Sequence, residues 1–209
     1  MNLLEVMIKN FKQRLDWGLQ SAAVVPAIVF LSIVPVVLFA PESWNWENSW
    51  LENVQLIVLG LGFVFALCAK HNKMLFRFLA LAILLMMLRE VNYGRTIFFP
   101  VEGEINKFHS WKDIKYGWLA HPLVGVYCVA TGLFFLINKL YLTLWEYIKK
   151  AKIPAICVMF VILGTIGALA GEELGMEVLE EIFELLLCCS VTAMVYFYAF
   201  DENYRMEKL

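Results

Sequence analysis

Charge and histidine are both scarce in this chain of 209 residues. Asp, Glu, Lys and Arg together make up 17%, and there are three histidines. That scarcity excludes several chemistries. There is no histidine box, no defensible Ser-His-Asp order, no Walker loop and no pair of haem-ligating histidines on facing segments. Redox and nucleotide chemistry are therefore not expected. The first 20 residues carry Lys9, Lys12, Arg14 and Asp16 and lack a compact apolar core, so no signal peptide is read there. The five cysteines all fall in apolar segments. They read as small apolar side chains rather than disulfides or a zinc cluster. Internal repeats and low-complexity tracts are absent. A net charge of −2 gives no reason to expect direct contact with nucleic acid.

What the chain has is apolar surface. It is 61% hydrophobic, with a mean hydropathy of +0.70, where a soluble domain is about half apolar. The expectation is an all-α polytopic transmembrane helical bundle, a single membrane domain over 1–209. Residues 1–19 read as an interfacial amphipathic helix, with Leu4, Ile8, Phe11 and Leu15 on one face and Lys9, Lys12 and Gln13 opposite. About six spans follow, at about 20–41, 51–69, 74–93, 117–138, 153–171 and 178–199. Pro26 and Pro35 are expected to kink the first. Segment 139–152 reads as an extension of the fourth helix beyond the bilayer. Residues 94–116 form the long loop on the other side.

The charges set an orientation. The N-terminus, 70–77, 139–152 and the C-terminus carry 12 Lys/Arg against 6 Asp/Glu. Segments 41–52, 89–115 and 171–184 carry 5 Lys/Arg against 13 Asp/Glu. Both termini are expected in the cytoplasm, with the acid-rich face outside. The locale is then a bacterial inner (plasma) membrane.

Three spans are too short if charge is kept out of them. The uncharged runs are 17 residues after Glu52, 11 between Arg77 and Arg89, and 16 after Glu184, where a span needs roughly 20. Arg77 can snorkel to the surface. Glu52, Arg89, Glu90, Glu181 and Glu184 are then drawn from three helices to one height, which is how a bundle builds a polar or metal site. Glu177, Glu180, Glu181 and Glu184 lie within about 100° of arc on the last helix. Crowded carboxylates call for a cation, a basic partner such as Arg89 or Arg95, or retained protons. The plain alternative is structural: acids favoured at a helix N-terminus, Glu47 as a solvated acid at the start of the second helix, and Glu52 with Gln55 hydrogen-bonding between helices. In the long loop, Glu104 and His109 are candidates because the aromatics Phe98, Phe99, Phe108, Trp111 and Tyr116 suit a loop lying over the bundle. His121 is a weaker candidate, and His71 reads as a solvated residue of the basic turn.

Four motifs stand in order: Glu47-Asn48-Ser49-Trp50-Leu51-Glu52-Asn53-Val54-Gln55, Arg89-Glu90-Val91-Asn92-Tyr93-Gly94-Arg95, Glu102-Gly103-Glu104-Ile105-Asn106-Lys107-Phe108-His109, and Glu180-Glu181-Ile182-Phe183-Glu184. The chain thereby resembles an uncharacterised family of polytopic bacterial membrane proteins with E-D-x-x-x-E-x-x-Q, E-E-I-S-W-G-Q-R, G-E-x-N-x-H and E-E-x-x-E motifs. The match covers roughly 45–110 and 178–200. Asn48 stands where the family has Asp, Arg89 where it has Glu, and Arg95 where it has Gln. These departures remove acids and add cations, which favours an Arg–Glu network. The resemblance implies no reaction.

Three functional readings follow. The first is a metal-dependent hydrolase or transferase acting on a lipid or lipid-linked substrate at the outer face. A divalent metal ion would be its cofactor, held by Glu52, Glu90, Glu104, His109 and Glu181, with Glu180 or Glu184 as the catalytic base. The second is a non-enzymatic membrane sensor, or a subunit of a larger assembly, in which Gln55, Arg89 and Arg95 knit a structural polar network. Its partners would be membrane lipid, a soluble protein at the basic cytoplasmic face, or a second copy of the chain in a homo-oligomer. The third is a small cation transporter or channel. The cytoplasmic halves of the spans carry no polar stripe, which disfavours it.

Overall fold

A computed structural model describes residues 11–46, 48–102, 104 and 107–204. Its main elements are the helices α1 (Val24–Phe39), α2 (Trp50–Cys68), α3 (Lys73–Glu90), α4 (Ala120–Ile137), α5 (Leu140–Lys150), α6 (Ala155–Leu174) and α7 (Glu177–Phe200). The two strands, β1 (Leu15–Asp16) and β2 (Ile153–Pro154), are two residues each and pair in parallel. The architecture is all-helical.

Five helices are long and apolar enough to cross a membrane: Ser21–Phe39, Trp50–Cys68, Gly117–Ile137, Ala155–Leu174 and Glu177–Phe200. That marks a membrane protein. The sixth expected span, α3, does not qualify on composition. Lys73 and Arg77 lie at one end and Arg89 and Glu90 at the other, all within 18 residues. Its centre is nonetheless packed, with Leu75, Phe76, Ala80 and Ile83 buried.

α7 is the axis of the bundle. In its most apolar stretch 61% of residues are buried, against none in α4. α1, α2 and α6 pack around it, and α3 lies along α2. The tightest approach is between α6 and α7, because Gly164, Gly167 and Gly171 recur at helical spacing on the contact face. A Cβ on Gly164 would come within 2.9 Å of the Leu187 nitrogen, and one on Gly171 within 2.5 Å of the Glu180 nitrogen. Small residues let helix backbones meet where no hydrophobic effect drives them together. Gly175, in the left-handed conformation at φ 63°, closes α6 and reverses the chain into α7.

Several sequence expectations are corrected here. Of the interfacial helix expected over 1–19, residues 1–10 lie outside the described residues. Residues 11–14 are helical, and the chain then extends as β1 against β2, so no helix continues to 19. Segment 139–152 does not extend the fourth helix. The Asn138 side chain donates to the Phe134 carbonyl at 2.8 Å, Lys139 turns left-handed at φ 51°, and α5 starts afresh. Pro26 falls in the first turn of α1, where its missing N–H costs little, so Pro35 is the one proline inside that helix. In the loop between α3 and α4, Pro100 and Phe108 bridge in antiparallel fashion and make a short hairpin.

Candidate functional site

One polar cavity gathers most of the acids expected to meet. It has a volume of about 170 Å³ and is lined by Glu52, Arg89, Glu90, Asn92, Thr96, Glu180, Glu181 and Glu184. Four elements meet there: the start of α2, the end of α3, the turn after it, and the first two turns of α7.

Each wall has a local cause. Ser49 caps α2, its hydroxyl accepting from the Glu52 N–H at 3.4 Å. The Glu52 carboxylate reaches back to the N–H of Asn48 at 2.6 Å. This is a variant of the capping box, in which serine and an acid three residues on satisfy orphan donors reciprocally. One turn further, Gln55 is fully buried. Its Nε2 donates to the Glu181 carboxylate at 2.8 Å and to the Glu181 main-chain oxygen at 3.0 Å. Gln55 therefore fixes both the backbone and the side chain of Glu181, while its own Oε1 is buried without a partner.

Arg89 supplies the positive charge. Its Nη2 lies 2.9 Å from Glu90 Oε1 and 2.6 Å from Glu184 Oε2. The Glu90 and Glu184 side chains are 4% and 12% exposed, whereas that of Arg89 is 56% exposed. The guanidinium thus covers two nearly buried carboxylates and keeps its outer side open. A desolvated carboxylate without such a partner is costly.

The turn after α3 builds the last wall. Asn92, Tyr93 and Gly94 are all left-handed, at φ 45°, 55° and 93°. A non-glycine residue in that region is uncommon, and here two precede the glycine. The reversal puts Asn92 and Thr96 on the cavity, with the Thr96 hydroxyl donating to the Val91 carbonyl at 3.1 Å. With its amide oxygen turned toward Arg95, Asn92 accepts from Nη2 at 2.8 Å and from Nε at 3.2 Å. The Arg95 guanidinium lies 6.0 Å from the centre of the Phe108 ring. The sequence reading missed Asn92 and Thr96. The Asn-Tyr-Gly turn was the signal that could have found them.

Two expected ligands do not line this cavity. Glu104 pairs with Lys107 in the hairpin, and its side chain is 47% exposed. His109 is exposed, its N–H donating to the Phe99 carbonyl at 3.0 Å. Hairpin pairing directs both residues outward. No group of three or more His, Cys, Asp or Glu side chains is arranged to hold a metal ion among the described residues. Neither a histidine nor a cysteine lines the cavity. Glu47 lies outside the described residues.

The arrangement holds five carboxylates and one guanidinium in a small space. Its chemistry is that of a cation sink with one resident cation already attached. Comparison of the chain with protein-family models, with curated proteins and with solved structures yields no match.

Proposed function

We propose that this chain is a non-enzymatic membrane sensor, or the membrane subunit of a larger assembly, whose Glu–Arg network responds to cations or protons at the outer face. The observation that carries the reading is Arg89 bridging Glu90 and Glu184 inside a cavity that Glu52, Glu180 and Glu181 also line. A guanidinium at that position does the neutralising that a metal would do in a multi-carboxylate centre. The surplus of acids over the one base leaves the network able to gain or lose positive charge. Movement of Arg89 between partners would be felt directly by α3 and α7, the two helices it ties.

In this proposal α3 is the sixth span, both termini face the cytoplasm, and the membrane is a bacterial inner membrane. The asymmetry of Lys and Arg supports that orientation, and the locale rests on the resemblance of the motif order to the polytopic bacterial family. The competing reading is metal-assisted chemistry on a lipid or lipid-linked substrate. Glu180 favours it, because it lines the cavity outside the Arg89 and Gln55 contacts and could serve as a base.

The test is the metal content of detergent-purified wild type beside Glu52→Gln and Glu181→Gln. The expected result is no stoichiometric metal in any of the three, with lowered melting temperatures in both variants. Near-stoichiometric metal in the wild type that disappears in both variants would sink the sensor reading and establish the metal-dependent one.

A further inference from the structure

The far end of the α2–α3 hairpin holds a second charged cavity. It measures about 260 Å³ and is lined by Ala66, Leu67, Cys68, Ala69, Lys70, Lys73 and Arg77. Glu52 and Cys68 are 16 residues apart on α2, so this cavity lies about 24 Å from the acidic one at 1.5 Å per residue.

Three cations line it and no acid does. None of Lys70, Lys73 and Arg77 forms an ion pair among the described residues, although Lys107 and Lys150 each have a carboxylate partner three or four residues away. Arg77 Nη1 has only the Met74 sulfur, at 3.7 Å. The backbone does not neutralise the three charges. α2 ends here with its negative pole and α3 begins here with its positive pole, and the two partial charges offset one another. At the start of α3, Asn72 is left-handed and its side chain caps no N–H. That side chain instead donates to the Tyr147 hydroxyl at 2.6 Å, which turns it away from the helix start.

The cations are also held in register. Lys73 and Arg77 are four residues apart and share a face of α3, while Leu75 and Phe76 of the same helix are buried in the bundle. Lys70 reaches in from the connecting turn. A planar fork and two point charges around one recess match the oxygens of a phosphate group. A recess of this charge between apolar helices is also the setting in which membrane proteins hold anionic headgroups.

We infer that Lys70, Lys73 and Arg77 form a binding site for a phosphate-bearing anion, either the headgroup of an anionic phospholipid or free phosphate. Occupancy would brace the α2–α3 turn, because the ligand joins the connecting turn to the first two turns of α3. This site is independent of the acidic cavity and of the function proposed for it.

The test uses full-length protein in a zwitterionic detergent. Binding of short-chain phosphatidylglycerol, of short-chain phosphatidylcholine and of inorganic phosphate is followed by native mass spectrometry and by thermal shift. Wild type is expected to prefer phosphatidylglycerol to phosphatidylcholine, and K73Q/R77Q to bind it at least tenfold more weakly. K112Q, the loss of a cation in the distant 94–116 loop, is the control, read against K70Q as the matching single charge loss, and should bind as wild type does. Inorganic phosphate binding that K73Q/R77Q weakens at least tenfold, with no preference for phosphatidylglycerol over phosphatidylcholine, would support the site and name free phosphate as its ligand. If the double variant fails to fold, K70Q carries the same measurement. Binding that is the same in the variants as in K112Q, or no binding of either anionic probe to wild type, would overturn the assignment.

Discussion

α2 and α3 form one hairpin with a charged cavity at each end, and the two ends handle charge in opposite ways. At the open end, five acids meet one arginine, and four of the acids are partnered from within. Arg89 covers Glu90 and Glu184, Gln55 holds Glu181, and Glu52 serves the start of its own helix. At the turn end, three cations line a recess with no acid among them. The first end has spent much of its charge on contacts between helices. The second has kept its charge available. The difference teaches where to look for stability and where to look for binding: internally partnered charge holds helices together, and unpartnered charge facing a recess recruits something from outside.

The sharpest way to break this comparison is to remove charge from each end in turn. Arg89→Gln should destabilise the protein by about 2–3 kcal/mol. That is below the 3–5 kcal/mol typical of a fully buried pair, because the guanidinium is half exposed. K73Q/R77Q should change stability without added anion by less than about 0.5 kcal/mol, as surface substitutions usually do. Melting in detergent checks both. Equal losses at the two ends would abolish the distinction.

A smaller effect is expected at Gln55. Gln55→Met keeps the side-chain length but removes both donors to Glu181. The loss should be about 1–2 kcal/mol, the net cost of leaving buried acceptors unmet, offset in part because the unpartnered Oε1 goes as well. A Gln55→Met protein as stable as wild type would show that Glu181 does not depend on this contact.

The smallest effect lies away from both cavities, at Asp16. Its carboxylate accepts from the Gly18 N–H at 2.9 Å, from the Tyr204 hydroxyl at 3.0 Å and from Gln20 at 3.0 Å. The Gly18 N–H does most to hold it below its ordinary value of 3.8, with Tyr204 and Lys152 assisting. The folded state therefore binds this proton less readily than the unfolded one. The stabilisation is present above pH ~4 and is lost as pH falls through the lowered folded value. The melting temperature of Asp16→Asn should thus differ from wild type at neutral pH, and the gap should narrow toward pH 3. A constant gap would mean that Asp16 acts by shape alone.

Part of the site was legible because periodicity alone places side chains on faces. Glu180, Glu181 and Glu184 share a face of any helix that contains them, and Glu52 and Gln55 do the same one turn apart. The short uncharged runs put Arg89 and Glu90 at the same level. Other parts could not be read this way. Glu104 and His109 were expected near the acids because their loop is long and aromatic. Hairpin pairing between Pro100 and Phe108 directs them elsewhere, and no helical period governs a hairpin. Asn92 and Thr96 line the cavity because three successive residues turn left-handed, a conformation the sequence hints at only through Asn and Gly. The break at Lys139 likewise depends on one backbone angle rather than on any change in hydropathy.

By itself the sequence determined the all-helical class, an apolar helical chain of membrane type and the faces that carry acid, because each follows from hydrophobicity and a 3.6-residue period; of the six spans expected, five are long and apolar enough to cross a membrane. Which helix lies at the centre was a tertiary decision. α4 and α7 are both apolar, but α7 meets Gly164, Gly167 and Gly171 of α6 and is buried, while α4 finds no such partner. Only the packed structure decided that Arg89 of α3 would reach Glu184 of α7, and that the end of α2 would close a recess around Lys70, Lys73 and Arg77. Those pairings depend on how separate helices are set against one another, and a one-dimensional period carries no record of that.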